Sequence, residues 1–219
     1  MIPITSKLLI YSRFFFRHLS TGDIRGDENF IFLNYPSEKI ITFLEFIDVI
    51  EKKENLIRQK EITFSKYKLY NELQLFLLLY LKKRKDSLLW LKKVQYGRQD
   101  ILSLLASGDN EELDILSCMK QCNLTDNEEN TLSENWWTEL AEFSRNLKES
   151  RNAEIGRVGE YLSYDYEKRR LGRNIEKTFI ERTGAGYDIL SWTNCDDDRR
   201  LCIEVKTTEK GINDSSSCV

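Results

Sequence analysis

The chain has 219 residues, 41% of them hydrophobic and 32% charged, with a formal net charge of -3. That composition suits one large or two small folded domains and excludes a disordered chain. It also excludes bulk attraction to phosphate, so a nucleic-acid partner has to be held by local basic patches.

Leu8, Leu9, Tyr11, Phe14, Phe15 and His18 recur at the spacing of an amphipathic helix. Gly22, Gly26, Asp27 and Asn29 mark a loop before the apolar run Phe30 to Leu33. After Pro36, helical periodicity returns from Ile40 to Ile50, and a buried helix is predicted from Lys66 to Leu81. The basic cluster Lys82 to Lys85 follows, and a further helix begins after Asp86 and Ser87, carrying Leu88 to Leu91, Lys92, Lys93 and Arg98. The two basic groups read either as a phosphate-binding face or as solvated helix ends, where cations are favoured. Residues 1–125 are thus expected to form a mainly helical region that recognises DNA or a partner, without a recognisable helix-turn-helix spacing.

Leu75 to Leu81 is the most apolar stretch and is far shorter than the roughly 20 residues that span a bilayer. No secretory leader follows Met1, so a cytoplasmic protein without a membrane partner is expected. The five cysteines, at 118, 122, 195, 202 and 218, form no disulfide framework, and with a single histidine they lack the ligands of a zinc site.

Residues 123–135 are polar and acidic, and Thr125 with Glu128 has the form of a capping box. This composition shift is the expected boundary, with a second domain over 134–219. Beyond it Trp136, Trp137, Leu140, Phe143 and Leu147 line a helix whose paired tryptophans read as core or interdomain packing.

From Asn152 the pattern becomes a helix and three strands. Ile155, Val158, Leu162 and Tyr166 fall at helical spacing, and Gly156 and Gly159 leave room for another backbone. Strands are predicted at Ile175 to Glu181, Tyr187 to Trp192 and Leu201 to Thr207, with turns at Gly184 to Gly186 and Asn194 to Arg200. Glu204 and Lys206, two apart on one strand, point to the same face. A hairpin sets Asp188 beside Glu204. Two carboxylates suit a hard cation such as Mg2+, the lysine can hold or deprotonate a water, and Glu160 on the helix can add a carboxylate. The same groups can instead form a surface ion-pair ladder.

The ordered strings IGRVGEYLSYDYEKRR (155–170), GYDILSW (186–192) and IEVKTT (203–208) resemble the protein NO VEIN C-terminal domain family. Gly156, Gly159 and Glu160 match its first block, and Tyr166 and Glu167 the next. Gly186, Tyr187, Asp188 and Ser191 match the third, and Ile203 to Thr207 the last. The helix of the paired tryptophans also resembles the segment leading into this domain in relatives.

The resemblance implies an α+β chain, with a restriction-endonuclease-like α/β core (a helix, then a mixed sheet) of PD-(D/E)XK type behind the helical region. It implies metal-dependent hydrolysis of DNA with Mg2+ or Mn2+. Asp188, Glu204 and the carbonyl of Val205 would be metal ligands, Lys206 the catalytic lysine and Glu160 the helix carboxylate. Bacterial restriction or phage defence is the implied setting, with a separate helicase, ATPase or methyltransferase as partner and a homodimer as the assembly. Relatives run on through a further strand and helix after the lysine, so the core reads as truncated at its C-terminus. An inactive nuclease-derived module that binds nucleic acid or protein is the alternative.

Overall fold

The computed structural model describes residues 3–19, 24–25, 35–53, 56–60, 70–126, 131–172, 175–178 and 186–208. Within them the chain is α+β, mostly helical with two small antiparallel sheets. It divides into two units, Met1–Arg145 and Asn146–Val219.

In the first unit, α1 (Ser6–Leu19) buries Leu8, Leu9, Phe15, Phe16 and Leu19 and leaves Phe14 exposed. Three consecutive phenylalanines fit more than one register. The stripe expected through Phe14 gives way to one through Phe15 and Phe16, which continue the face of Leu8, Leu9 and Ser12. Helix α2 (Ser37–Phe46) stops before Ile50, because Asp48 adopts a φ of 65°. Aspartate tolerates that left-handed conformation better than most residues, and it breaks the helix. Ile50 instead opens β2 (Ile50–Lys53), which pairs with β3 (Leu56–Gln59), which in turn pairs with β1 (Ile24–Arg25). The sheet escapes a helical reading of residues 1–125 because its strands are too short to show an alternation. Phe30 to Leu33 lies outside the described residues.

Helix α3 (Glu72–Lys83) starts at a capping box between Asn71 and Gln74 and is buried on nearly all sides. Of the predicted start at Lys66, residues 66–69 lie outside the described residues. The next helix is a 3-10 segment, Leu89–Tyr96. Gly97, with a φ of 139°, separates it from α4 (Arg98–Ala106). Helix α5 (Asn110–Gln121) has a second capping box, between Asp109 and Glu112. Thr125 is described but Glu128 is not, so that expected box lies outside the described residues. Cys118 and Cys122 are both buried free thiols, and burial pushes Cys118 up to about 12 and Cys122 higher still.

Helix α6 (Thr131–Leu171) is a single helix of 41 residues. No glycine or proline interrupts 131–155, which joins the two helices expected there. Its first turns complete the first core. Trp136 is fully buried, its ring meets that of Trp137 edge-on at 5.2 Å, and the two indole N–H groups donate to the carbonyls of Gln74 at 2.8 Å and Leu124 at 3.0 Å. No described helix is long and apolar enough to cross a membrane.

In the second unit the C-terminal part of α6 packs on the sheet β4 (Glu176–Lys177), β5 (Ile189–Trp192) and β6 (Arg200–Ile203), ordered β4-β5-β6 with both pairs antiparallel. Tyr164 and Leu171 of α6 meet Ile175, Ile189, Trp192, Ile203 and Val205 in a small core. The helix ends at Gly172, whose φ of 63° suits glycine and whose N–H returns to the Lys168 carbonyl at 3.0 Å. The apolar stripe at helical spacing is not the buried face. Val158, Leu162 and Tyr166 are 53%, 64% and 61% exposed. The sheet is small and needs only Tyr164 and Leu171 from the helix, while the polar Glu167 on that same face is accommodated by partners of its own.

Candidate functional site

The register of β5 on β6 builds the site. Ile189 pairs with Ile203, and the Asp188 N–H donates to the Ile203 carbonyl at 2.8 Å. The ladder ends at that pair, so Asp188 and Glu204 are the next residues outward on the two chain segments. Strand β6 ends at Ile203, so Glu204, Val205 and Lys206 lie just past the strand end and not within it. There the Val205 N–H leaves the ladder and donates to the Asp188 carboxylate at 2.7 Å. Gly186 precedes Asp188 with a φ of 80°, the conformation its turn needs; Gly184 and Ala185 lie outside the described residues.

The Lys206 ammonium donates to the Glu204 carboxylate, and both side chains are exposed. That hydrogen bond and the Glu204 charge hold Lys206 above its usual range, with a further push from Asp188. Glu160 sits half-buried on α6. Burial pushes its carboxyl upward, and the charges of Asp188 and Glu204 push the same way, opposed by Arg157. The charges of Asp188 and Glu204 thus reach the helix carboxylate. Among the described residues, no group of three or more His, Cys, Asp or Glu side chains is arranged to hold a metal ion.

The two helix glycines separate in role. A Cβ at Gly159 would lie 2.8 Å from both Cβ and Cγ2 of Thr207, and closer still to its hydroxyl, whereas a Cβ at Gly156 would meet nothing within 4 Å. Close approach therefore explains Gly159 and not Gly156.

The sequence reading assigned no role to Glu167, Ser191 or Arg170, which together tie the helix to the sheet. The buried Glu167 carboxylate accepts from Ser191 Oγ at 2.7 Å and from Arg170 at 3.0 and 2.6 Å. Arg170 also donates to the carbonyls of Trp192 at 2.7 Å and Thr193 at 2.8 Å. The available signals were the i, i+3 spacing of Glu167 and Arg170 and the place of Glu167 and Ser191 in the motif blocks. The Arg170 hydrogen bond, helped by Ser191, holds Glu167 below the usual carboxylate range against the effect of burial. A carboxylate depressed in the folded state stabilises it above the unfolded pKa, and that stabilisation is lost as pH falls through the folded value. Amide-exchange protection of β5 should therefore hold at the ordinary glutamate pKa of about 4.3 and be lost only at more acid pH. Glu167→Gln should lower protection at neutral pH and flatten this acid dependence. On β4, Lys177 lies over the rings of Tyr164 at 4.4 Å and Tyr161 at 4.9 Å, a second tie to α6.

A pocket of about 520 Å³ lies at the β5–β6 turn, lined by Arg170, Asn194, Cys195, Asp196 and Asp197. That is the opposite end of the hairpin from Asp188 and Glu204. In the first unit the basic cluster is partly structural. Lys82 pairs with Glu139, the buried Arg84 bonds Tyr80 at 2.7 Å and Glu111 at 2.8 Å, and Arg98 bonds the Asp126 carbonyl beside the Trp137 ring. Lys83, Lys85 and Lys93 remain exposed.

These features define a carboxylate–lysine site at the open end of a helix-backed antiparallel hairpin. The family model described as Protein NO VEIN, C-terminal, matches residues 159–216, which supports the resemblance carried by the Glu160, Asp188 and Glu204 blocks. Gly156 and the paired tryptophans fall outside the match. Neither the curated proteins nor the solved structures include a match to the chain.

Proposed function

We propose that the second unit is a metal-dependent phosphodiesterase site of PD-(D/E)XK type acting on DNA. One observation carries this reading: Asp188 and Glu204 flank the last pair of the β5–β6 ladder, Lys206 is bonded to Glu204, and the charges of both carboxylates reach Glu160. An all-oxygen donor set suits Mg2+ or Mn2+, and a cation relieves the crowding of like charges. Asp188, Glu204 and the carbonyl of Val205 would hold it. A metal bound there supplies Lewis acidity at the phosphoryl group and a more acidic water. Lys206 offsets phosphate charge and orients the attacking water, and Glu160 stands at the edge of the ligand set. Bacterial restriction or phage defence, with a separate helicase, ATPase or methyltransferase and a homodimeric assembly, is the setting this reading implies.

Purified protein with Mg2+ or Mn2+ should nick supercoiled plasmid, and Asp188→Ala should reduce this to background. Cleavage that persists in both Asp188→Ala and Lys206→Ala would refute the assignment.

A second reading is a nuclease-derived module that binds nucleic acid or protein without cutting. It is favoured by the engagement of both hairpin carboxylates within the chain, Asp188 by the Val205 N–H and Glu204 by Lys206. Calorimetric titration with Mn2+ separates the two. Heat of binding that is lost in Asp188→Ala supports the metal site, and DNA binding without any metal binding supports the module.

A further inference from the structure

We propose that the Gly159–Thr207 approach is the positioning element of the site, holding the helix carboxylate in register with the two hairpin carboxylates. This rests on the metal-site reading above. The three carboxylates come from α6, the residue before β5 and the residue after β6. The last two are already joined by the ladder and by the Val205 N–H on Asp188. Near Glu160, α6 meets the segment after β6 through Gly159 and Thr207, one residue from Glu160 and three from Glu204. Gly159 precedes Glu160, and Thr207 follows Lys206.

At this point the helix backbone lies against the threonine side chain. Any Cβ at 159 would fall 2.8 Å from two Thr207 carbons, inside the distance real Cβ atoms keep. Gly159 is buried although its neighbours Val158, Tyr161 and Leu162 are exposed. Gly156, three residues earlier in the same helix, has no such neighbour. The glycine at 159 is therefore explained by what it faces and not by helix formation, which glycine disfavours. A side chain there must push the helix turn carrying Glu160 away from the segment carrying Glu204 and Lys206. Geometry at a metal site is sensitive to such displacements.

The test uses the full chain and Mn2+ as probe, read by calorimetry, with far-UV circular dichroism as a check on folding. Gly159→Ala should lower Mn2+ affinity about tenfold or more, although alanine favours the helix. Adding Thr207→Gly to Gly159→Ala removes the clashing atoms, and affinity should return to within about threefold of Thr207→Gly alone. Urea unfolding of the same proteins separates the two explanations: a positioning role lowers Mn2+ affinity in Gly159→Ala beyond any loss of stability, whereas general destabilisation moves both together. Wild-type affinity in Gly159→Ala, or no recovery in the double variant, would overturn the proposal while leaving the metal site standing. A wild-type protein without Mn2+ affinity would overturn the metal reading and the positioning role with it. In that case the same variants in a urea-unfolding cycle would show the contact to be structural alone.

Discussion

Lys206→Ala is expected to reduce Mg2+-dependent DNA cleavage by about 10²–10³-fold while Mn2+ binding is retained or tightened. The side chain is exposed and outside the small core of the second unit, so its removal leaves the fold in place. It also takes a competing cation away from Glu204, which is why metal binding should not suffer. The role left to Lys206 is that of a positive charge. Its hydrogen bond to Glu204, the Glu204 charge and the Asp188 charge all hold the ammonium protonated above its usual range. A group whose pKa is raised keeps its charge below that value and loses it as pH climbs through it, so the contribution of Lys206 should persist across neutral pH and fade only above about 10.4. Lys206→Arg preserves charge and should recover part of the rate. A lysine acting as general base predicts the reverse: a rate rising with pH in the alkaline range and no rescue by arginine. Single-turnover rates of the three proteins across pH decide between them.

The parts of this site that can be read from the chain are those set by short-range geometry. The two antiparallel strands and the polar turn between them are such parts, and their register ends beside Asp188 and Glu204, although the strand expected to carry Glu204 and Lys206 stops at Ile203. What escapes is set by packing at a distance. Nothing local links Gly159 to Thr207 or Glu167 to Ser191, because those pairs are created only when α6 lies on the sheet. The α6 stripe misleads for a related reason. Periodicity reports which residues can share a face, not which face is covered, and here the covered face is held by Tyr164, Leu171 and an ion-paired Glu167 while Leu162 and Tyr166 face outward. In the first unit, the residues of α3 were legible as a buried helix because they are apolar all round. The β1–β3–β2 sheet was not, since a left-handed Asp48 ends α2 without any glycine or proline to announce it.

Trp136→Ala should lower the stability of the first unit by about 3–5 kcal/mol, measured by urea unfolding. Trp136 is completely buried, and its ring packs edge-on against Trp137 within the core that contains Leu75, Leu77, Cys118 and Leu140. Deleting it opens a cavity, and it also strips the Gln74 carbonyl of the indole donor at 2.8 Å. Gln74 itself is buried, closes the α3 capping box with Asn71 and donates through Nε2 to the Cys122 carbonyl at 3.1 Å, so the loss reaches the start of α3 and the end of α5. Trp136→Phe separates the two contributions. It keeps most of the apolar volume and should cost markedly less than alanine, with about 1 kcal/mol traceable to the missing hydrogen bond. Trp137→Ala should fall between them, because Trp137 is 8% exposed yet donates to the Leu124 carbonyl and lies beside the Arg98 guanidinium. If Trp136→Ala unfolds at the same urea concentration as wild type, the paired tryptophans do not close this core.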